Sequence, residues 1–372
     1  MKSVVLLQRI NCQYRINFFK KLYERLKSHG IKFTVIIGEN DVKESMDSFD
    51  FIIFKKNRVI NFFGKKLIYQ PCLRLLKDSD LTIIELRNNL LVNYILILKR
   101  WFLPGKKVIF GGHALNMQRN KNSLGNIFKR LYFKNSDWWF PYTDKMADIL
   151  MKAGYPAEKI TVFHNTADTE NLILWKNSLT SEEIKNLREK LKINGSAVGI
   201  FCGRMYKEKR IDFLLEACLR IKEKLPEFYM IFIGNGEESY KIKEYAKRYE
   251  WIKYVGPAYN REKAAYFKLA NIFLSPGLIG LSITESFALE VPIVTTSYQY
   301  HSPEIEYLKN GINGIMTRDD LDSFCNAAIS VFKNPGYQDS LKKGCQEASK
   351  IYTMENMVNK HLIGIKACLG LK

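Results

Sequence analysis

Two stretches in the second half of the chain decide the fold, G203-R204-M205-Y206-K207-E208-K209 and S275-P276-G277-L278-I279-G280-L281-S282-I283-T284-E285. Each follows a short apolar run with strand character, Ala197–Cys202 and Ile272–Leu274, and the second leads into a helical pattern. Strands that alternate with helices predict parallel α/β sheets, which bind ligands beyond the carboxyl ends of their strands. Both stretches therefore stand where a ligand site is expected.

The first stretch places an arginine and a lysine five residues apart, Arg204 and Lys209. A guanidinium fork and an ammonium point charge both neutralise phosphate oxygens, so we expect the pair to bind a diphosphate. A solvated basic loop is the alternative interpretation, since Lys207 and Arg210 stand alongside.

The second stretch combines a flexible backbone with polar side chains. Gly277 and Gly280 allow the main chain to approach a ligand closely. Leu281 and Ser282 stand at the start of a helix, whose backbone N–H groups bind phosphate, and the Ser282 hydroxyl can donate to a phosphate oxygen. Glu285 can accept both hydroxyl protons of a ribose, or it is only a favourable carboxylate in a first helical turn. Together with the two cations, this stretch indicates a nucleoside-diphosphate site.

Weaker candidates for ligand-binding residues follow other predicted strands. Gly234 opens a Gly-Asn-Gly-Glu turn that can close over a nucleobase or phosphate, although a plain turn fits the pattern equally well. In the first half, His113 follows two glycines after an apolar run, and Tyr14-Arg15 follow the first strand and could receive an anionic acceptor. Asp78-Ser79-Asp80 resembles a metal-binding DxD, but it precedes its strand, so we interpret it as a loop.

The charge of the chain is unevenly distributed. Of the formal net charge of +20, residues 1–165 hold +16, with 29 Lys and Arg against 13 Asp and Glu, and residues 166–372 hold +4. This asymmetry predicts that the first half meets a polyanion or an anionic membrane surface. The 372 residues and their 47% apolar content suffice for two domains.

Cysteine usage argues against disulfides and zinc. The seven cysteines show no CxxC spacing and several lie in apolar runs, which is typical of buried thiols in a reducing compartment. The N-terminal apolar run is too short for a signal peptide, and Leu90–Leu98 is too short to span a bilayer. We expect a cytoplasmic protein with no metal, no cofactor and no transmembrane helix.

Apolar runs and helical patterns alternate along the whole chain. A polar stretch, Thr166–Gly195, separates two such series, so two doubly wound parallel-sheet domains are predicted at residues 1–172 and 173–352, followed by a helix within 353–372. The predicted strands are Val4–Leu7, Phe33–Ile37, Phe51–Phe54, Leu81–Leu86, Lys107–Phe110, Trp138–Tyr142, Ile160–His164, Val198–Cys202, Met230–Gly234, Ile252–Val255, Ile272–Ser275 and Ile293–Thr296.

The chain resembles the large bacterial family-four retaining glycosyltransferases of GT-B type, which build cell-surface polysaccharides such as lipopolysaccharide or capsule. The resemblance is specific from Val198 to Met316, where it rests on G-R-M-Y-K-E-K, I-G-N-G-E, V-G-P, S-P-G-L-I-G-L-S-I-T-E-S-F-A-L-E-V-P-I-V and P-E-I-E-Y-L-K-N-G-I-N-G. Weaker matches to the family pattern in the first half include Q-Y-R-I-N-F-F-K-K-L, G-G-H-A-L-N and H-N-T-A-D-T.

This resemblance implies two facing Rossmann-like domains, with the nucleotide sugar held mainly by the C-terminal donor domain and the acceptor on the N-terminal side. By matched position, Arg204 and Lys209 neutralise the diphosphate and Glu285 binds the ribose hydroxyls. His113 matches the N-terminal histidine near the transferred sugar. The resemblance further implies that the final helix packs back on the N-terminal domain. It also implies that no metal is needed, because cations and N–H groups stabilise the leaving diphosphate.

Two positions depart from the family pattern. Gly277 stands where the family often has the first of two glutamates eight positions apart, a carboxylate that usually contacts the donor sugar. Glu290 stands where the family usually has glycine. The first departure leaves the identity of the sugar open.

The leading interpretation is a retaining, metal-independent glycosyltransferase that moves a sugar from a nucleoside diphosphate to a lipid-linked glycan, peripheral on the inner membrane face. The alternatives are a catalytically impaired GT-B scaffold that binds a membrane surface or nucleic acid, and a nucleotide-sugar epimerase of the same fold. The donor residues favour the enzyme over the scaffold. The basic and aromatic segments Lys55–Lys77 and Arg119–Lys134 suit a lipid-proximal enzyme, so we expect no nucleic acid partner.

Overall fold

The computed structural model describes residues 1–10, 13–39, 49–62, 64–102, 105–112 and 133–371. The chain forms two compact units, an N-terminal unit of residues 1–165 with 354–372 and a C-terminal unit of residues 166–353. The boundary therefore lies seven residues before the expected one at 172. The reason is that Thr166 and Ala167 already bond within the C-terminal unit, to Tyr352 O and to Thr284 Oγ1.

Fourteen strands are assigned in the described residues. Along the chain they are β1 (Lys2–Gln8), β2 (Ile31–Glu39), β3 (Ile52–Lys56), β4 (Arg58–Phe62), β5 (Lys65–Tyr69), β6 (Leu81–Glu85), β7 (Lys107–Gly112), β8 (Trp138–Pro141), β9 (Ala197–Cys202), β10 (Phe228–Ile233), β11 (Ile252–Gly256), β12 (Ile272–Leu274), β13 (Ile293–Thr296) and β14 (Gly314–Thr317).

Twelve α-helices are assigned in the same ranges. They are α1 (Ile16–Ser28), α2 (Leu91–Phe102), α3 (Asp144–Lys152), α4 (Glu170–Ser178), α5 (Ser181–Lys190), α6 (Ile211–Lys224), α7 (Ser239–Arg248), α8 (Asn260–Leu269), α9 (Ser282–Ala288), α10 (Leu321–Lys333), α11 (Pro335–Ile351) and α12 (Met354–Leu369). None of these described helices combines the length and apolar character that crossing a bilayer requires.

Each unit is built on a six-stranded parallel sheet. The strand order is β3-β2-β1-β6-β7-β8 in the N-terminal unit and β11-β10-β9-β12-β13-β14 in the C-terminal unit. All six residues of β9 are buried, as expected where helices cover both faces of a parallel sheet. In both sheets the order reverses beside the first strand, so a crevice forms at the carboxyl ends there. The predicted α/β class with two doubly wound parallel sheets is confirmed.

The last helix, α12, belongs to the N-terminal unit although it follows the C-terminal unit in sequence. Met357, Val358 and Ile365 are buried in the core that also holds Phe18 of α1. Gly364 is required there, because a Cβ would stand 2.2 Å from the ring of Phe140.

Three sequence predictions need correction. Ile160–His164 is not assigned as a strand. Its N–H groups at Thr161 and Phe163 donate to Trp139 O and Pro141 O, but apart from one bridge between Trp139 and Ile160 the regular ladder is absent, and His164 has a left-handed backbone (φ 53°). The short edge strand β14 was missed. The antiparallel hairpin of β4 and β5 was also missed, because its residues lie in one continuous basic and apolar segment without an Asn-Gly or Asp-Gly turn.

Candidate functional site

The turns after β9 and β10 are joined through their main chains. Gly203 N–H donates to Ile233 O at 3.0 Å, and Met205 N–H donates to Asn235 O at 2.9 Å. Gly234 has a φ of 125°, and a Cβ there would stand 2.0 Å from Gly203 O. The glycine that we assigned to ligand binding is therefore already required by this close approach of two backbones.

Arg204 extends from the first of these turns into solvent. Its guanidinium donates to Glu237 Oε1 at 2.6 Å, and both side chains are about two-thirds exposed. The Glu237 backbone N–H and the Arg204 guanidinium lower the pKa of the Glu237 carboxyl. An exposed pair of this kind is weak, so a diphosphate can take over the guanidinium at little cost.

Lys209 lies at the end of a 3₁₀ turn, Lys207–Lys209, and is almost fully buried, with 8% exposure. Its ammonium donates to Leu278 O at 2.5 Å, which joins the two stretches that decide the fold. Burial lowers the pKa of Lys209 to about 8. An ammonium that is so poorly solvated gains strongly from a neighbouring anion.

Gly277 packs directly on the backbone of the Lys209 turn. Leu278 N–H donates to Glu208 O at 2.8 Å, and a Cβ on Gly277 would stand 2.3 Å from the same oxygen. This backbone leaves no room for a side chain at position 277. The departure from the family glutamate is therefore built into the packing of the two stretches.

The start of α9 offers a row of open donors. In the described part of the chain, the backbone N–H groups of Gly280, Leu281 and Ser282 donate to no protein acceptor. Gly280 itself is not crowded, because a Cβ there would lie 3.4 Å from Ser302 Oγ. Three adjacent N–H groups beside a buried ammonium are suited to phosphate oxygens.

Glu285 on α9 is paired with a residue that the sequence did not single out. Lys263 of α8 donates to Glu285 Oε2 at 2.5 Å, and only 13% of its side chain is exposed. Burial opposes the charge of Lys263, but the Glu285 carboxylate outweighs it and raises the lysine's pKa. The segment R-E-K-A-A-Y-F predicts a solvated helix face, so no local signal marked this lysine.

Cys202, the last residue of β9, lies within electrostatic reach of Lys263, Glu285 and Lys209. Burial raises the pKa of its thiol to about 11, so the thiol is neutral at physiological pH. The structure thus brings Lys209, Lys263 and Glu285 together around the end of the central strand.

A second residue missed in the sequence, His301, fixes the loop that contains Gly277 and Gly280. Its Nδ1 accepts from Ile279 N–H at 3.0 Å, and its Nε2 donates to Thr296 O at 2.9 Å. Burial lowers the pKa of His301, so the ring stays neutral. The imidazole therefore links the loops that follow β12 and β13.

Glu290, the other departure from the family, has a left-handed backbone with φ 60°. Glycine adopts this conformation without strain, which explains the family preference. Here the Glu290 carboxylate accepts from the buried Lys176 ammonium at 2.5 Å. The ion pair offsets the strain of a side chain at this position.

In the N-terminal unit, a cavity of about 180 Å³ lies at the carboxyl ends of β1, β6 and β7. Tyr14 and Arg15 line it, and Arg15 donates to Asn165 Oδ1 at 3.1 Å. His361 of α12 also reaches it, and burial lowers the pKa of this histidine to about 3. His113 lies outside the described residues.

The described residues contain no group of three or more His, Cys, Asp or Glu that could hold a metal ion. Asp80 of the DxD-like sequence accepts from Ser3 N–H at 2.8 Å and from Lys2, so it has a structural role. The Ser3 hydrogen bond lowers the pKa of Asp80. The expectation of a metal-independent site stays a prediction, as do the roles of the individual residues.

Residues 183–348 match the model of the family described as glycosyl transferases group 1. This segment is therefore similar to the group 1 glycosyl transferases. The match covers nearly all of the C-terminal unit and agrees with the predicted glycosyltransferase family over that segment.

Two curated relatives are similar to the chain. The alpha-monoglucosyldiacylglycerol synthase of Acholeplasma laidlawii is 27% identical over 239 residues, which cover 62% of this chain and 58% of the relative. The GtfA subunit of the UDP-N-acetylglucosamine–peptide N-acetylglucosaminyltransferase of Streptococcus agalactiae is 24% identical over 118 residues, 31% of this chain and 23% of the relative. The chain thus matches less than two-thirds of either relative.

Solved structures resemble the chain over nearly its whole length. A glycosyltransferase from Rickettsia africae has a TM-score of 0.68 at 15% identity, covering 99% of this chain and 98% of that chain. Anabaena Alr3699/HepE in complex with UDP has a TM-score of 0.68 at 15% identity, covering 99% and 100%. At such identities the likeness concerns the fold, and it confirms the predicted GT-B class.

Proposed function

We propose that the protein is a retaining, metal-independent glycosyltransferase that moves a sugar from a nucleoside diphosphate to a lipid-linked glycan at the inner membrane face. The observation that carries this proposal is the group at the carboxyl edge of the second sheet. There, a buried ammonium (Lys209), open N–H groups at 280–282 and a carboxylate (Glu285) lie around the end of β9.

The diphosphate binds between the two stretches. Arg204 exchanges its exposed Glu237 partner for a phosphate oxygen, and Lys209 gains the anion that its buried site lacks. The N–H groups of Gly280, Leu281 and Ser282 supply further fixed donors. Because these groups are already in place, they stabilise negative charge without reorganisation at the moment when the diphosphate leaves.

Glu285 binds the ribose, and Lys263 orients it. The ion pair holds one carboxylate oxygen, Oε2, at 2.5 Å from the ammonium, which leaves the other oxygen for the hydroxyls. Lys263 acts here as a positioning residue.

Bond cleavage places both electrons of the sugar C1–oxygen bond on the leaving diphosphate, and the acceptor hydroxyl forms the new bond to C1 on the same face. The proton of that hydroxyl passes to the departing phosphate oxygen. This route needs no carboxylate nucleophile, which agrees with a position 277 that has no room for a side chain. His113 keeps its assignment beside the transferred sugar as part of the proposal.

A lipid-linked acceptor is supported by the printed name of the Acholeplasma relative, a diacylglycerol glycolipid synthase, and by the charge of +16 on residues 1–165. The second candidate is the catalytically impaired scaffold, for which the missing carboxylate at Gly277 is the specific observation.

A donor panel tests the proposal. Purified protein is incubated with radiolabelled UDP-, GDP- and ADP-sugars and membrane lipid extract, and both lipid-borne label and released nucleotide are counted. We expect one donor to be consumed, and Lys209→Met to abolish its use while Lys207→Met, its exposed neighbour, does not. Nucleotide binding in a parallel calorimetric titration, without consumption of any donor, would support the scaffold, and absence of both would overturn the proposal.

A further inference from the structure

The hairpin of β4 and β5 leaves the N-terminal sheet beside the cavity of that unit. Before the hairpin, Asn57 Nδ2 donates to Arg9 O at 2.7 Å. After it, Gln70 Nε2 donates to Gln8 O at 3.2 Å. Gln8 and Arg9 both line the cavity at the carboxyl end of β1. Both ends of the hairpin are therefore fixed to the rim where ligands of such a sheet bind.

The hairpin exposes aliphatic side chains on both of its faces. Val59 is 57% exposed and Ile60 is 47% exposed, and consecutive strand residues point to opposite faces. Among the described strands, β4 pairs with β5 alone. On its other edge β5 is anchored, because Ile68 N–H donates to Asn89 O at 2.8 Å and Ile68 forms a bridge with Leu90. The outer strand β4 leaves Val59 and Ile60 exposed, and these two aliphatic side chains indicate a surface that a partner covers.

The charge around the hairpin has a single sign. Residues 51–77 contain seven Lys and Arg and no Asp or Glu. Five of these cations form no ion pair within the described part of the chain. They are Lys55, Arg58, Lys66, Arg74 and Lys77. The partner must therefore be anionic as well as apolar.

We propose that the basic hairpin, residues 55–69, docks the protein on an anionic phospholipid membrane. Val59 and Ile60 enter the interface between headgroups and acyl chains, and the surrounding Lys and Arg side chains bind headgroup phosphates. The inference rests on the proposed function, because it assigns the membrane contact of that function to one element. It places the lipid surface next to the cavity of the same unit.

Two other partners fit the hairpin less well. A nucleic acid is bound by cations together with aromatic stacking or groups that hydrogen-bond to bases, whereas the exposed large apolar side chains among the described hairpin residues are the aliphatic Val59 and Ile60. A second copy of the chain would bring two sets of seven like charges together. An anionic membrane satisfies both the charge and the aliphatic side chains.

The test compares three matched variants by co-sedimentation with vesicles of phosphatidylglycerol and phosphatidylcholine at 0.1 M salt. The charge variant is Lys55→Gln/Arg58→Gln/Lys66→Gln, and the apolar variant is Val59→Thr/Ile60→Thr, which keeps β-branched shapes. The control, Lys185→Gln/Lys190→Gln/Lys247→Gln, removes the same charge from exposed positions in the C-terminal unit. Melting temperature and UDP affinity are measured for each variant to verify the fold and the donor site.

We expect the charge variant to lower partitioning into anionic vesicles by at least about 30-fold, since each cation near an anionic surface contributes roughly fivefold. The apolar variant should lower it by about fivefold or more, and the control by less than twofold. Vesicle binding by both hairpin variants equal to wild type overturns the assignment of the hairpin, while donor consumption in the panel above stays an independent result. Wild-type binding to an oligonucleotide but not to vesicles, or a dimer that the apolar variant dissociates, overturns it in favour of the other partners.

Discussion

The two units share one strand order but build the carboxyl edges of their sheets differently. In the C-terminal unit, the turns after β9, β10 and β12 are locked by main-chain hydrogen bonds and by glycines that admit no Cβ, such as Gly234 and Gly277. In the N-terminal unit, the edge is a cavity lined by charged and aromatic side chains, with a basic hairpin beside it. The comparison teaches that one strand order can carry either an edge fixed by main-chain contacts or a cavity lined by side chains.

The largest effect is expected when the cations at the carboxyl edge of the C-terminal sheet are removed. We expect Arg204→Ala and Lys209→Ala each to lower kcat/KM by about 10²-fold or more, because each cation faces the charge that develops on the leaving diphosphate. Steady-state kinetics with the correct donor measures this, and Lys207→Ala in the same turn is the control. Activity of either variant within twofold of wild type refutes the diphosphate clamp.

A smaller effect tests whether glycine is required by packing. Gly277→Ala should destabilise the protein by about 2 kcal/mol, because the new Cβ meets Glu208 O at 2.3 Å and the backbone must shift. Gly280→Ala, whose Cβ has an ordinary contact of 3.4 Å, should cost less than about 0.5 kcal/mol. Urea unfolding of both variants decides the matter. Equal free energies of unfolding would show that the two turns are not tightly packed.

The ion pair of Glu285 and Lys263 is a side-chain contact at the carboxyl edge of the C-terminal sheet, and its role in nucleotide binding can be tested separately. We expect Glu285→Gln to weaken nucleotide binding about tenfold or more, since a neutral amide is a poorer acceptor for ribose hydroxyls. Lys263→Met should weaken it less, about fivefold, because the carboxylate remains but loses its orientation. Titration calorimetry with UDP measures both, and an unchanged affinity for Glu285→Gln reduces this residue to a helix-terminus carboxylate.

The buried ammonium of Lys209 predicts a dependence on pH. Its pKa of about 8 lies below the ordinary 10.5, so between these values the folded protein has lost a proton that the unfolded chain keeps. In this window the contribution of Lys209 to stability rises with pH, whereas nucleotide affinity falls by up to about tenfold, because a cation is lost. Calorimetry from pH 7 to 9.5 should show the fall in wild type and Arg204→Ala. A similar fall in Lys209→Met contradicts the assignment.

The last prediction is that removing metal ions has no effect on activity. Chelation with EDTA should leave the transfer rate unchanged, because fixed cations and N–H groups supply the charge stabilisation that a metal ion provides elsewhere. A loss of activity in EDTA that Mg²⁺ or Mn²⁺ restores would falsify this.

The sequence predicted those features that depend on local patterns. Alternating strands and helices sufficed for two parallel sheets, and the spacing of Arg204 and Lys209 after an apolar run sufficed to place both at a carboxyl edge. Lys263 and His301 were missed because their partners, Glu285 and Ile279, are 22 residues away in each case. No local pattern encodes such contacts.

The two positions that depart from the family pattern show the same limit of prediction from sequence. The sequence revealed that Gly277 and Glu290 are unusual, but not why. The reasons are a carbonyl 2.3 Å from a hypothetical Cβ and a buried lysine 114 positions earlier in the chain. Both are properties of the packed state. His113, whose role came from resemblance alone, stays a prediction.

The imidazole of His301 has a consequence for changing which sugar the protein accepts. Because one neutral ring accepts from Ile279 N–H and donates to Thr296 O at the same time, the segments 277–280 and 296–301 form a single structural unit. Exchanging the second segment alone removes the ring, and exchanging the first alone moves the backbone N–H that the ring accepts from. Chimeras that transplant both segments together with the histidine should keep their fold, whereas single-segment chimeras should misfold or lose the donor.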